Sequence, residues 1–204
     1  MEAPLDLLLI ESHTGVGGPT AERLAAEGHT LHRCHDGPAS FPCVGVSDPD
    51  ACPVSGPVDA VVVVRRGVCP SPTPLEDGVP CALRAGIPVV EHGTDVLDPY
   101  DDLLDARVAR AESVADACVR AIERSLEPVR ERILAAFVPL LEANGWSADA
   151  VSVQLSGRGT SLRVDLSGPA TSGHLGGRLA VMASDAVRDL RRRWSPVSVS
   201  ISHG

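Results

Sequence analysis

The chain has 204 residues, 44% of them apolar and 22% charged, with a formal charge of −9. This is enough apolar content for one large core or two small ones, and too much for a disordered chain. All eighteen basic residues are arginine, which closes imine chemistry, the P-loop lysine, the kinase lysine and the tyrosine–lysine pair of short-chain dehydrogenases.

The charge is uneven. Residues 1–125 carry nine arginines against twenty acidic residues, a balance of −11, whereas residues 126–204 carry nine against seven, a balance of +2. That asymmetry points to two modules, and the acidic total argues against the whole molecule binding nucleic acid. No stretch approaches the ~20 apolar residues of a membrane span, and the first residues (MEAPLDLLLIES) lack a basic leader. A cytoplasmic protein without membrane contact is expected, with its six cysteines serving as thiols, ligands or redox groups rather than disulfides.

Residues 5–10 (LDLLLI) form a run that is apolar but for Asp6, the pattern of a parallel strand buried on both faces. The glycines Gly15, Gly17 and Gly18, then Pro19, lead into a helix over Thr20–Glu27 that Gly28 ends, and residues 29–34 read as a second strand. Residues 37–58 are irregular, and nine of the seventeen prolines lie between Pro38 and Pro80, so no regular crossover helix is expected there. Val58–Arg65 is the strongest buried-strand signal. A helix near Leu75–Ala85 and a strand at Ile87–Glu91 complete an open parallel α/β sheet of about four strands within residues 1–100.

An alanine-rich connector helix is expected over residues 101–125. Pro128 reads as the start of another helix, with Val129, Ile133, Phe137, Leu140 and Leu141 on one face. Val151, Val153 and Leu155 alternate, Gly157-Arg158-Gly159 turns, and Leu162, Val164 and Leu166 alternate again, the signature of a hairpin. Helical spacing from Leu175 to Leu190 and alternation at Val197, Val199 and Ile201 complete an α-β-β-α-β order over residues 126–204, a small α+β domain.

Three clusters carry chemistry. Gly15, Gly17, Gly18 and Thr20 follow the first strand, and Asp36 lies just past the second. Residues 5–92 thereby resemble a degenerate Rossmann-like domain, in which the turn would hold a phosphate and Asp36 a ribose. Thr20 stands where that pattern has its third glycine, and Pro19 lacks an amide donor, so a plain tight turn is the competing reading. The layout also resembles a receiver domain, but Arg65 and Arg66 follow the third strand where a phosphoryl-accepting aspartate would stand. A pseudo-receiver is therefore the form this resemblance takes.

The second cluster is Cys34, Cys43, Cys52 and Cys69, which could hold zinc or an iron–sulfur cluster, or act as a redox switch. Their spacing matches no C-x-x-C motif, and buried thiols are the competing reading. The third is Gly173-His174-Leu175-Gly176 with Arg178, whose place in the element order resembles the KH fold and its RNA-clamping GxxG loop. Glu11, His13, Glu91 and His92 end strands and could meet as acid and base groups.

No lysine and no complete catalytic motif point away from an enzyme. The expected function is a non-catalytic regulatory or adaptor protein that binds a small ligand or a partner protein at the carboxyl edge of the first sheet, with self-association through the second domain. A cysteine-based metal or redox protein and an RNA-binding protein are the alternatives.

Overall fold

The structure is a computed structural model and describes residues 3–35, 43–67, 70–94, 99–108, 113–188, 190 and 194–202. The chain divides into two units, Met1–Arg124 and Ser125–Gly204.

Unit 1 is built on β1 (Asp6–Glu11), α1 (Gly18–Ala26), β2 (Thr30–His32), α2 (Val44–Ser47), β3 (Ala60–Arg66), α3 (Gly78–Ala85), β4 (Val89–Thr94) and β5 (Ala106–Val108), followed by the start of α4 (Val114–Ala143). Its five strands are all parallel, in the order β2-β1-β3-β4-β5. This is the doubly wound order of flavodoxin-like domains rather than the 3-2-1-4-5-6 order of dinucleotide-binding domains. The order reverses between β1 and β3, so the crevice for a ligand opens at the carboxyl ends of those strands.

The unbroken apolar runs of β1 and β3 are needed because both faces of the sheet are covered. Leu7, Leu9, Val62, Val64 and Val90 pack with Leu24 of α1 and with Val114, Cys118 and Ala121 of α4. Leu8, Ile10, Val61, Val63 and Val89 turn to the other face, against Val79 and Ala82 of α3 and against Cys34. Period-two alternation decides which core each side chain joins.

The expected connector helix over residues 101–125 is corrected. Asp101–Leu103 is a 3-10 turn, Ala106–Val108 is a fifth strand, and the helix begins only at Val114. The strand is three residues long and shows no alternation of its own. Asp105 secures it, donating its amide to the Val89 carbonyl at 2.9 Å and accepting the Val89 amide on its carboxylate at 2.8 Å. Pro128 does not open a new helix either: α4 runs thirty residues through Pro128 and Pro139. Each proline removes one helical hydrogen bond, at a cost of about 3 kcal/mol, and burial of Leu126, Val129, Ile133 and Phe137 along the same helix offsets it.

Between β2 and β3 the described residues hold only the four-residue α2 and two 3-10 turns, at Pro49–Ala51 and Pro53–Ser55.

Unit 2 contains the rest of α4, then β6 (Ser152–Arg158), β7 (Ser161–Ser167), α5 (Gly173–Arg188) and β8 (Val197–Ser202). The mixed sheet has the order β6-β7-β8, with β6 antiparallel and β8 parallel to β7. Phe137, Ile133 and Leu141 of α4 and Leu179, Ala183 and Val187 of α5 close its core against Val153, Leu162, Val164 and Leu166. The α-β-β-α-β order read from the sequence is present. Among the described residues, no helix is long and apolar enough to cross a membrane.

Candidate functional site

Because the five strands run one way, the segments that follow them gather at one edge of the sheet. On the β1–β2 side of that edge the decisive residue is Glu11, the last of β1. Its carboxylate accepts the Gly15 amide at 2.6 Å and pairs with Arg33. Gly15 adopts φ +83°, a conformation glycine reaches without strain. A Cβ on Gly17 would come within 3.0 Å of the Glu11 side chain. The glycine turn therefore folds around an anion supplied by the chain itself.

Beside this turn lies a cavity of about 390 Å³, lined by Leu9, Ile10, Thr14, Gly15, Gly18, Arg33, Cys34, His35 and Leu75 along with Glu11. His35 is its most unusual wall residue. Both imidazole nitrogens are buried, and neither has a hydrogen-bond partner among the described residues. Asp36, the expected ribose-binding acid, lies outside the described residues.

On the β3–β4 side, alternation sorts neighbouring charges onto opposite faces. Arg65 turns to the α3 face, where it pairs with buried Glu76 and lies 5.5 Å from the Tyr100 ring centre. Arg66 turns to the α1 face. Glu91 is buried and pairs with Arg107, which also meets Asp101 at 3.0 Å. His92, one residue on, faces α1 and meets Thr20 through Nδ1 at 2.9 Å. Burial, then the positive charges of Arg23 and Arg66, hold the His92 imidazole below its usual titration range. Pro19, Thr20, Arg23, Val64, Arg66, His92 and Gly93 line a second, open cavity of about 240 Å³, with both arginines exposed.

The strand-end acids and histidines are thus not one acid–base group. Glu11 serves the glycine turn, His13 is exposed and meets Ser12 Oγ at 3.1 Å, and Glu91 and His92 point to opposite faces. Thr20 is the one residue of the expected ligand-binding set that lines the second cavity. Arg23 and Arg66, its cationic walls, are absent from that set. Their signal was periodicity: Thr20 and Arg23 share a helix face at i, i+3, and Arg66 continues the face of Val62 and Val64.

Cys34 sits in the α3-side core with Cys43 packed against that cluster. Burial pushes the Cys34 thiol up to about 12, and Cys43, Cys52, Cys81 and Asp77 add to the rise. Cys34 and Cys43 thus share one apolar centre. Even so, among the described residues no three histidine, cysteine or acidic side chains are placed to hold a metal ion. The zinc or iron–sulfur site expected at Cys34, Cys43, Cys52 and Cys69 therefore finds no support there; Cys69 lies outside the described residues. The physical reason is packing. A Cβ on Gly78 would come within 2.8 Å of both Cys34 Sγ and Ile10 Cδ1, so the sulfur is wedged among carbons.

In unit 2, Gly173 and Gly176 occupy the first turn of α5 rather than a free loop. Gly176 is buried, and a Cβ there would lie 1.9 Å from the Thr171 carbonyl oxygen. Gly173 and Arg178 line an open groove with His174, Gly177, Val181 and Met182.

No family model matches this chain, and no curated protein matches it. Among solved structures it is similar to the response regulator StyR, determined at low resolution. The identity is 12% and the TM-score 0.38, over 72% of this chain and 86% of that one. So distant a likeness says nothing about what this chain binds.

Proposed function

We propose that the protein is a non-catalytic regulatory or adaptor protein whose unit 1 takes a small ligand at the carboxyl edge of its parallel sheet, in the cavity beside the glycine turn. The observation that carries this reading is His35. A buried polar group left without a partner costs about 1–3 kcal/mol, and native proteins keep so few of them that each asks for a reason. Among the described residues both nitrogens of one imidazole are in that position, in the wall of a 390 Å³ cavity that Leu9, Ile10 and Leu75 also line. A ligand with a flat apolar body and one polar edge suits such walls.

The regulatory half of the reading rests on how the charged groups are used. Glu11, Arg65, Glu76 and Glu91 are each committed to an ion pair, and Glu11 also to a backbone amide. These groups stabilise the edge rather than standing ready to move protons.

The test is a fragment screen by ¹H–¹⁵N NMR on the full chain, using neutral heteroaromatic fragments. The expected result is saturable shifts of the His35 imidazole and the Gly15 and Gly18 amides, with the fragment recovered unchanged. Shifts confined to other regions, or none at all, would overturn the reading, and chemical turnover of the fragment would overturn its non-catalytic half.

A further inference from the structure

We propose that unit 1 carries a second site, distinct from the His35 cavity, that binds a compact oxyanion such as a phosphate group between Arg23, Arg66, Thr20 and His92.

The site is assembled from three elements. α1 supplies Thr20 and Arg23, β3 supplies Arg66, and β4 supplies His92, whose strand neighbours set it level with Val64 on the same face. Two guanidinium groups therefore line one small cavity, and each disfavours the charged form of His92. Like charges brought together raise the energy of the empty site, and a bound anion relieves it.

Among the described residues, neither of these two arginines is neutralised, unlike the other arginines that end or flank strands of this sheet. Unit 1 is strongly acidic, and among the described residues Arg33, Arg65 and Arg107 each meet a carboxylate. Neither Arg23 nor Arg66 has an ion-pair partner among the described residues. On the other side of the glycine turn Glu11 fills the Gly15 amide. That carboxylate makes the β1–β2 side unfavourable for an anion and leaves the α1–β4 side as the place where one is welcome.

The remaining polar groups fit the same ligand. Thr20 Oγ1 and His92 Nδ1 engage each other at 2.9 Å, which holds the ring in place and leaves Nε2 for another partner. Guanidinium forks match phosphate and carboxylate oxygens in pairs. A cavity of 240 Å³ is smaller than the ~300–1,000 Å³ of sites that enclose a whole drug-sized ligand. It suits an anionic group with a small appendage rather than a dinucleotide.

The experiment titrates inorganic phosphate into the full chain at constant ionic strength, with chloride as the balancing anion, and follows backbone amide shifts. Saturable shifts at Thr20, Arg23 and Gly93 are expected. Arg23→Gln and Arg66→Gln should each weaken binding by about tenfold or more, the worth of a charge-assisted hydrogen bond. Arg84→Gln, on the exposed side of α3, should leave it unchanged, and so should His35→Ala. Melting temperatures without phosphate establish that each variant folds, and if a glutamine variant fails, the corresponding Arg→Lys variant takes its place. Shifts that chloride reproduces, or affinity that survives loss of both arginines, would overturn the proposal.

Discussion

Arg65 donates through Nη1 to the Glu76 carboxylate, and the two side chains are 5% and 0% exposed. The second Glu76 oxygen accepts the Thr73 amide at 2.6 Å, and Tyr100 covers the guanidinium. Dehydrating two ions costs several kcal/mol each, which only close pairing and further hydrogen bonds can offset. The pair ties the end of β3 to the segment entering α3.

Breaking one half of this pair should be worse than removing both. Glu76→Gln is expected to lower stability by about 3–5 kcal/mol, because Arg65 is left charged and buried. The double variant Arg65→Met with Glu76→Leu should lose less than the two single losses added together. Urea denaturation followed by circular dichroism checks this, and strict additivity would refute the coupling.

Gly176 and Gly177 are adjacent but should behave oppositely. Gly176→Ala drives a methyl group into the Thr171 carbonyl, and a loss of about 2–4 kcal/mol is expected. Nothing lies within 4 Å of a Cβ on Gly177, so Gly177→Ala should stabilise α5 by up to about 1 kcal/mol. Thermal melts of the two variants separate a packing role for Gly176 from an RNA-clamping one. If Gly176→Ala melts like the parent chain, the packing account fails.

Acidification should weaken unit 1 in a way traceable to His92. Its folded titration lies below the ordinary value of 6.5, chiefly through burial and then through Arg23 and Arg66. The unfolded chain therefore takes up a proton first. Stability from this residue is complete above pH 6.5 and declines as the pH falls below it. Replacing His92 with Gln should flatten the stability difference between pH 7.5 and 5.5. An unchanged slope in the variant would place the titration elsewhere.

The five described cysteines should label in two classes. Cys34 and Cys118 are buried, with thiols pushed up to about 12. Thiolate is the reacting form, so iodoacetamide at pH 8 should modify half-buried Cys43, Cys52 and Cys81 well before either of them. Peptide mass mapping over time gives the order. Early labelling of Cys34 would contradict its place in the core.

Much of the fold was legible because buried parallel strands leave a strong mark. The runs Leu7–Ile10 and Ala60–Val64 are apolar at every position, since both faces of the sheet are covered. The hairpin of unit 2 was equally plain, because only one face of its sheet is buried and the residues alternate. The fifth strand was not legible, since three residues held by Asp105 carry no periodic pattern. The unbroken α4 was hidden behind Pro128, whose local cost is outweighed by burial elsewhere along the helix.

The sequence by itself determined the long buried strands of the first sheet, the hairpin of the second, the absence of lysine chemistry and the glycine turn after the first strand, because each is written in neighbouring residues. Tertiary structure alone decided strand order, and with it which charges meet. Helical spacing puts Thr20 beside Arg23, but nothing in the sequence brings Arg66 and His92 to them. Parallel register between β3 and β4, and the packing of α1 over one face, do so. The same alternation sends Arg65 to Glu76 and leaves Arg66 beside Arg23, so two adjacent arginines acquire opposite surroundings. A one-residue offset along a strand reverses the face, and that relation exists only once the sheet is formed.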